Sequence, residues 1–157
     1  MEWNRGRVAT MSGDRPTVDE VDPAEACRLL ESDPDTALVD VRTRAEFSYV
    51  GHADAVDRNI PWRFLSDRFD VKSGVYTYDE NGNFLPDIAA LMAREGKGND
   101  DAVFVICRSG ARSAAAVDAL AAAGYSQVYN IVDGFEGGKD KATGAVGCVL
   151  ARTMDRW

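Results

Sequence analysis

Cys107 is followed by Arg108-Ser109-Gly110-Ala111-Arg112-Ser113. A continuously apolar run, Ala102 to Ile106, leads into this segment, and an alanine-rich run from Ser113 to Ala123 leads out of it. A strand feeding directly into a helix must curl between the two, and Gly110 permits a tight curl. Backbone N–H groups of the curl and of the helix's first turn then converge on one point, where the helix dipole adds partial positive charge. Arg108 and Arg112 add full positive charge. Such surroundings lower a cysteine pKa from about 8.5 to roughly 3.5–7.5. Cys107 is therefore expected to act as a thiolate nucleophile without a histidine base. The cradle from Arg108 to Ser113 suits a small anion, and thiosulfate, phosphate and arsenate all fit that description. The competing reading is a buried structural cysteine, since cysteine is often buried. The two arginines, the glycine and the helix start together favour chemistry.

The rest of the chain bounds what that chemistry serves. Its 157 residues make one domain, 45% of them are apolar, and 18 basic residues face 26 acidic ones for a net charge of −8. Generic affinity for nucleic acid or for an anionic membrane is thereby disfavoured. No run reaches the roughly 18–20 apolar residues of a transmembrane helix, and the first residues, without an apolar h-region, are not expected to be a secretory signal. Three cysteines, at 27, 107 and 148, form neither a disulfide framework nor a metal motif. With His52 the single histidine, a Cys/His zinc site is not expected. No phosphate-binding glycine fingerprint is present, so the expectation is no cofactor, no metal and a reducing, cytoplasmic compartment.

The elements that must position Cys107 follow from pattern and punctuation. Residues 1–16 read as a flexible arm, and the ordered part begins near Thr17. Asp22-Pro23-Ala24-Glu25 starts a helix with a capping box and proline at its first position. Ala37 to Val41 is a buried strand, and Thr43-Arg44-Ala45-Glu46 repeats the capping pattern for a short helix. Ala55, Val56 and Ile60 suggest a short strand ending at Pro61. Residues 66–84 read as a loop that can hold a hairpin, with strand composition at Val75 to Tyr78 and a turn pair at Asn81-Gly82. Pro86 to Glu95 is a helix, Ala102 to Ile106 the strongest strand, Ser113 to Ala123 a helix, and Gln127 to Val132 a last strand. Residues 139–157 form a tail packing on the domain, with a helix possible over 146–154 and Cys148 expected to be buried there. The alternation predicts an α/β fold: a mostly parallel five-stranded sheet with helices on both faces, in three layers. Such sheets bind ligands beyond the carboxyl ends of their strands, where Cys107 falls.

An ordered series of short motifs over residues 17–138 carries a resemblance. It runs Asp40-Val41-Arg42, Glu46-Phe47, Gly51-His52, Asn59-Ile60-Pro61, Val105 to Ser113, Ala122-Ala123-Gly124-Tyr125, and Asp133-Gly134-Phe135-Glu136-Gly137. The chain resembles a rhodanese homology domain, a single-domain thiosulfate sulfurtransferase. The resemblance implies that Cys107 takes the outer sulfur of an anionic donor as a persulfide and passes it to cyanide or a thiol. It implies that Arg108 and Arg112 attract the donor and that the loop from Arg108 to Ser113 holds it. Asp40, Arg42 and Glu46 are expected to form a supporting polar network, with His52 making a structural hydrogen bond. Related cell-cycle phosphatases use Cys-x5-Arg, whereas Cys107 and Arg112 are spaced Cys-x4-Arg, as in sulfurtransferases. Ala53-Asp54-Ala55 departs from the family's Pro-Gly-Ala, residues 62–84 are long for a minimal domain, and the end at Trp157 departs from the usual Gly-Leu-Pro-like continuation. Trp62, Phe64 and Tyr78 in the long segment either wall the site's mouth, bind a partner or pack as satellite core. Two alternatives stay open: a persulfide carrier that works with a protein donor or acceptor, and an arsenate reductase or phosphatase using the same thiolate.

Overall fold

A computed structural model of the chain describes residues 17–137. The N-terminal arm, the C-terminal tail and Cys148 lie outside the described residues. The elements are β1 (Thr17–Val21), α1 (Pro23–Ser32), β2 (Ala37–Asp40), α2 (Arg44–Tyr49), β3 (Arg58–Asn59), β4 (Arg63–Asp70), β5 (Val75–Glu80), α3 (Phe84–Arg94), β6 (Val103–Ile106), α4 (Ala111–Ala122) and β7 (Gln127–Ile131).

Five strands form one sheet in the order β1-β7-β6-β2-β3, and every pairing in it is parallel. Side chains alternate across its two faces, as strand geometry requires. Val39, Val41, Val103 and Val105 point toward α3 and α4, where they meet Ile88, Leu91, Met92, Val117 and Leu120. Leu38, Phe104 and Ile106 point the other way, onto Ala26 and Leu30 of α1 and onto Phe135. The sheet is thus the middle of three layers, as the alternation of elements predicts. Strands buried on both sides read as continuous apolar runs, which is why β2 and β6 are plain in the sequence.

The second capping box forms in full and the first by half, since Glu25 pairs with Arg28 instead of reaching back to Asp22. Asp22 accepts from the Glu25 N–H at 2.8 Å, with Pro23 opening α1. Thr43 Oγ1 accepts from the Glu46 N–H at 3.2 Å while Glu46 Oε2 accepts from the Thr43 N–H at 3.0 Å. Such caps satisfy N–H groups that a helix start leaves without intrahelical partners.

Two elements differ from expectation. The third strand is only Arg58–Asn59; Val56 instead closes a turn onto Ala53 O at 3.1 Å, and Asp57 uses its carboxylate to accept from Leu38 N–H at 2.7 Å. Residues 63–80 form a separate two-stranded antiparallel sheet with a bulge between Leu65 and Phe69. Its turn lies between Asp70 and Val75, around Gly74, not at Asn81-Gly82. Asn81 instead closes the hairpin's base, donating from its side chain to Pro61 O at 2.7 Å. Among the described residues, no helix is long and apolar enough to cross a membrane.

Candidate active site

Cys107 immediately follows β6, the middle strand of the sheet, with β2 and β7 as its neighbours. Each neighbour contributes to what surrounds it. The side chain is 1% exposed, at the floor of the turn that opens α4. Gly110 stands at φ +98°, which turns its N–H back onto Cys107 Sγ at 3.0 Å. A Cβ on Gly110 would also lie 3.2 Å from Asp133 N, so both conformation and space ask for glycine. The Ser113 hydroxyl lies 3.3 Å from the same sulfur, 3.1 Å from Gly110 O and 2.6 Å from Asn130 Oδ1. One hydroxyl proton serves one acceptor at a time. The Gly110 N–H thus donates to the sulfur, and the Ser113 hydroxyl stands within reach of it while making its shortest contact to Asn130.

Arg112 leaves α4 toward α2 and binds Glu46 with both terminal nitrogens, each at 2.7 Å. Burial pushes the Glu46 carboxyl up, but hydrogen bonds from Arg112 and Thr43 outweigh it and bring its pKa down to about 2. The hydrogen bond to Glu46 raises Arg112 in turn, and the charge of Cys107 adds to that rise. Arg108 points outward and pairs loosely with Glu136, 3.5 Å away. Ser109 and Ala111 lie exposed on the turn and at the helix start.

The expected trio of Asp40, Arg42 and Glu46 is divided. Asp40 and Arg42 are both buried and bind each other through two guanidinium nitrogens, at 2.7 to 3.1 Å. Arg42 also donates to Gly51 O at 2.7 Å and lies 4.1 Å from the Phe135 ring centroid. Glu46 makes its bonds elsewhere, to Arg112 and Thr43. His52 stacks on Phe47 with ring centroids 4.0 Å apart and places Nδ1 3.2 Å from Ala53 O, holding the loop after α2.

Residues 133–136 clasp the turn from the β7 side. Phe135 N–H donates to Cys107 O at 2.7 Å, and Glu136 N–H to Arg108 O at 3.0 Å. Gly134 passes so close that a Cβ there would sit 2.4 Å from Cys107 O. Arg42 therefore reaches the turn indirectly, through Phe135. Asn130, 2% exposed, is a site neighbour that the pattern analysis missed. Its signal was there: one polar residue in a strand that is otherwise apolar on its inner side.

A groove of about 190 Å³ opens beside the turn, lined by Glu46, Arg63, Tyr78, Arg108 and Arg112. Arg63 and Tyr78 come from the β4–β5 hairpin, and Arg63 was not foreseen. Tyr78 thus walls the groove, while Trp62 packs edge-on against Phe84 at 5.0 Å in the core. Among the described residues, no group of three His, Cys, Asp or Glu side chains is placed to hold a metal ion.

The signature of the Rhodanese-like domain family matches residues 22–141. The chain belongs to the rhodanese-like domain family. This rhodanese-like domain is 34% identical, over 122 residues, to an uncharacterized protein of Rickettsia prowazekii, a match covering 76% of this chain and 85% of that one. It is 35% identical over 116 residues to thiosulfate sulfurtransferase 18 of Arabidopsis thaliana, covering 73% of this chain and 74% of the relative. Among solved structures, the Mycobacterium tuberculosis protein Rv0390 superposes with a TM-score of 0.57 at 30% identity, over 83% of this chain and 87% of that one. A rhodanese-like domain protein of Staphylococcus aureus shares the fold, with a TM-score of 0.52 at 23% identity. The family is of sulfurtransferase type, and such domains act with sulfur donors and acceptors.

Proposed function

We propose that the protein is a sulfurtransferase that takes sulfane sulfur from thiosulfate or a related donor onto Cys107 and passes it to cyanide or a thiol. One observation carries this reading: the Gly110 N–H and the Ser113 hydroxyl both face the Cys107 sulfur at the carboxyl end of β6. The 35% identity to an Arabidopsis thiosulfate sulfurtransferase supports thiosulfate as donor. A buried sulfur also favours a small donor over a bulky one.

In the first half-reaction the Cys107 thiolate attacks the outer sulfur of thiosulfate. A Cys–S bond to that sulfur forms, the S–S bond of the donor breaks, and sulfite leaves with the electron pair. The products are a Cys107 persulfide with one negative charge and sulfite with two, together the charge of the thiolate and thiosulfate that reacted. In the second half-reaction cyanide attacks the outer sulfur, thiocyanate leaves, and the thiolate returns. Two half-reactions sharing one covalent intermediate imply ping-pong kinetics. The Gly110 N–H donates to the sulfur, and the Ser113 hydroxyl, held by Asn130, stays within reach of it. Arg63, Arg108 and Arg112 line the rim against a single carboxylate, Glu46, which fixes Arg112 in place.

Intact-mass analysis after incubation with thiosulfate tests this. Wild type should gain one sulfur, reversed by cyanide, and Cys107→Ser should gain none. No gain on either variant overturns the small-donor reading.

A second reading, a persulfide carrier exchanging sulfur with a protein, draws on the hairpin. Leu65, Phe69, Val71, Val75 and Tyr76 all stand exposed on it. Replacing its tip, residues 68–76, by a short Gly-Ser turn should then abolish transfer to the protein partner while thiosulfate loading persists. Arsenate reduction or phosphate-ester hydrolysis by the same thiolate is the remaining alternative, and assays with arsenate and a chromogenic phosphate separate it.

A further inference from the structure

Three arginines line the groove beside Cys107, but their charges are not equally available. Arg112 spends both terminal nitrogens on Glu46. Arg108 is largely exposed and shares its charge with Glu136. Arg63, the first residue of β4, makes no ion pair among the described residues. Its cross-strand partner is Glu80, on the same face of the hairpin, yet the two are not in ion-pair contact. Alternation along the strand sends Arg63 to the groove beside Cys107, with Tyr78 of β5 on the same face, and sends Phe64 to a different groove that Arg44, Arg58 and Arg94 line. Arg63 is therefore the uncommitted guanidinium of the groove beside the turn that holds Cys107.

We propose that Arg63 anchors the anionic end of the sulfur donor, with Tyr78 beside it, and that the hairpin makes this domain selective for small donors bearing a terminal oxyanion group such as a sulfonate. The inference rests on the sulfurtransferase reading for the word donor, and on the groove alone for the anion. A guanidinium offers two parallel N–H groups to an oxyanion, the geometry that suits a sulfonate face. Arg112, fixed by Glu46, then supplies the wall against which the donor is held, and Arg63 supplies the charge that selects it.

Equilibrium binding of thiosulfate to Cys107→Ser tests the anchor without turnover, because the donor stays unreacted. Arg63→Gln in that background should raise the thiosulfate Kd by on the order of 10- to 100-fold, the loss of a charge-assisted contact. Arg63→Lys should recover part of the affinity, keeping the charge but not the fork. Arg68→Gln, on the same hairpin but paired with Asp79 away from the groove, should leave the Kd unchanged. A Kd unmoved by Arg63→Gln, an equal loss in Arg68→Gln, or no thiosulfate binding at all each overturns the proposal. Thermal melting of the Arg63 variants, expected to match the parent because the residue is exposed, keeps an unfolded variant from passing as a positive result. Sulfur loading of the wild type is measured separately. Arg63-dependent binding without sulfur transfer sustains the anchor and removes the thiosulfate chemistry. Transfer with an unchanged Kd does the reverse.

Discussion

Glu46 and Arg112, 66 residues apart in the chain, meet through two parallel hydrogen bonds of 2.7 Å. The contact joins the first turn of α2 to the first turn of α4. The same carboxylate closes the α2 capping box, so one side chain holds a helix start and fixes an arginine beside Cys107. Its loss is felt in both places, and the following outcomes are expected from it and from its neighbours.

Stability should depend on pH through Glu46. Its folded pKa of about 2 lies below the ordinary 4.5, so its contribution is fully present above 4.5 and is lost as pH falls toward 2. Glu46→Gln should be less stable than wild type at pH 7, by roughly 1–3 kcal/mol. The gap should narrow between pH 4.5 and pH 2. Urea unfolding of both proteins at pH 7 and at pH 3 measures it, and a gap that stays constant with pH contradicts this account.

Gly134→Ala should be far costlier than Gly74→Ala. Both residues have positive φ, +57° and +70°, so both pay a left-handed penalty of about 1–2 kcal/mol on gaining a Cβ. At Gly74 nothing stands within 4 Å, whereas at Gly134 the new atom meets Cys107 O and the Arg108 backbone. That strain falls on the turn itself. The expected loss at Gly134 is on the order of 3 kcal/mol or more, read as a chemical-denaturation midpoint, with reduced sulfur loading.

Arg42→Met should leave Asp40 buried without its partner and cost about 3–5 kcal/mol. Replacing both, Asp40→Asn with Arg42→Met, should cost less than the sum of the single changes, because the uncompensated charge is gone. A double-mutant cycle by calorimetry gives the coupling directly. Additive losses mean that the pair is not coupled.

Asn130→Leu should leave Ser113 without its 2.6 Å partner. The hydroxyl is then no longer held in place beside the sulfur, and a buried polar contact disappears at a cost of about 1–3 kcal/mol. Persulfide loading should slow while Arg63-dependent anion binding is retained. Stopped-flow loading of the variant against Asn130→Asp, which keeps an acceptor, separates a positioning role from simple core damage.

The sheet was legible because its middle strands are buried on both faces and its helices open on Asp22 and Thr43, residues whose side chains cap by short-range geometry. The turn at Cys107 was legible because Gly110 sits between an apolar run and a helix. The missed parts have other physics. Arg58–Asn59 pairs with β2 through backbone bonds while its side chains stay partly outside, so no apolar pattern marks it. The hairpin strand Arg63–Asp70 carries Ser66, Asp67 and Arg68 across a bulge, which breaks alternation. The motif order groups Glu46 with Asp40 and Arg42 in one polar network, whereas its ion-pair partner is Arg112, 66 residues on. Only the folded chain brings the first turn of α2 within reach of Arg112, and only the hairpin's return brings Arg63 to the groove.

The sheet order has a consequence for how the protein is made. Thr17 to Val21 pair only with Gln127 to Ile131, the first described strand with the last. Synthesis delivers the N-terminal end first. On the ribosome β1 therefore waits, its edge unpaired, while nearly the whole domain is translated. The loop that clasps Cys107, through Phe135 and Glu136, emerges later still. A nascent chain halted before Gln127 holds the thiol, but neither the strand that closes the sheet nor the clasp that shapes the turn. The reactive geometry is thus withheld until translation of the domain is almost complete.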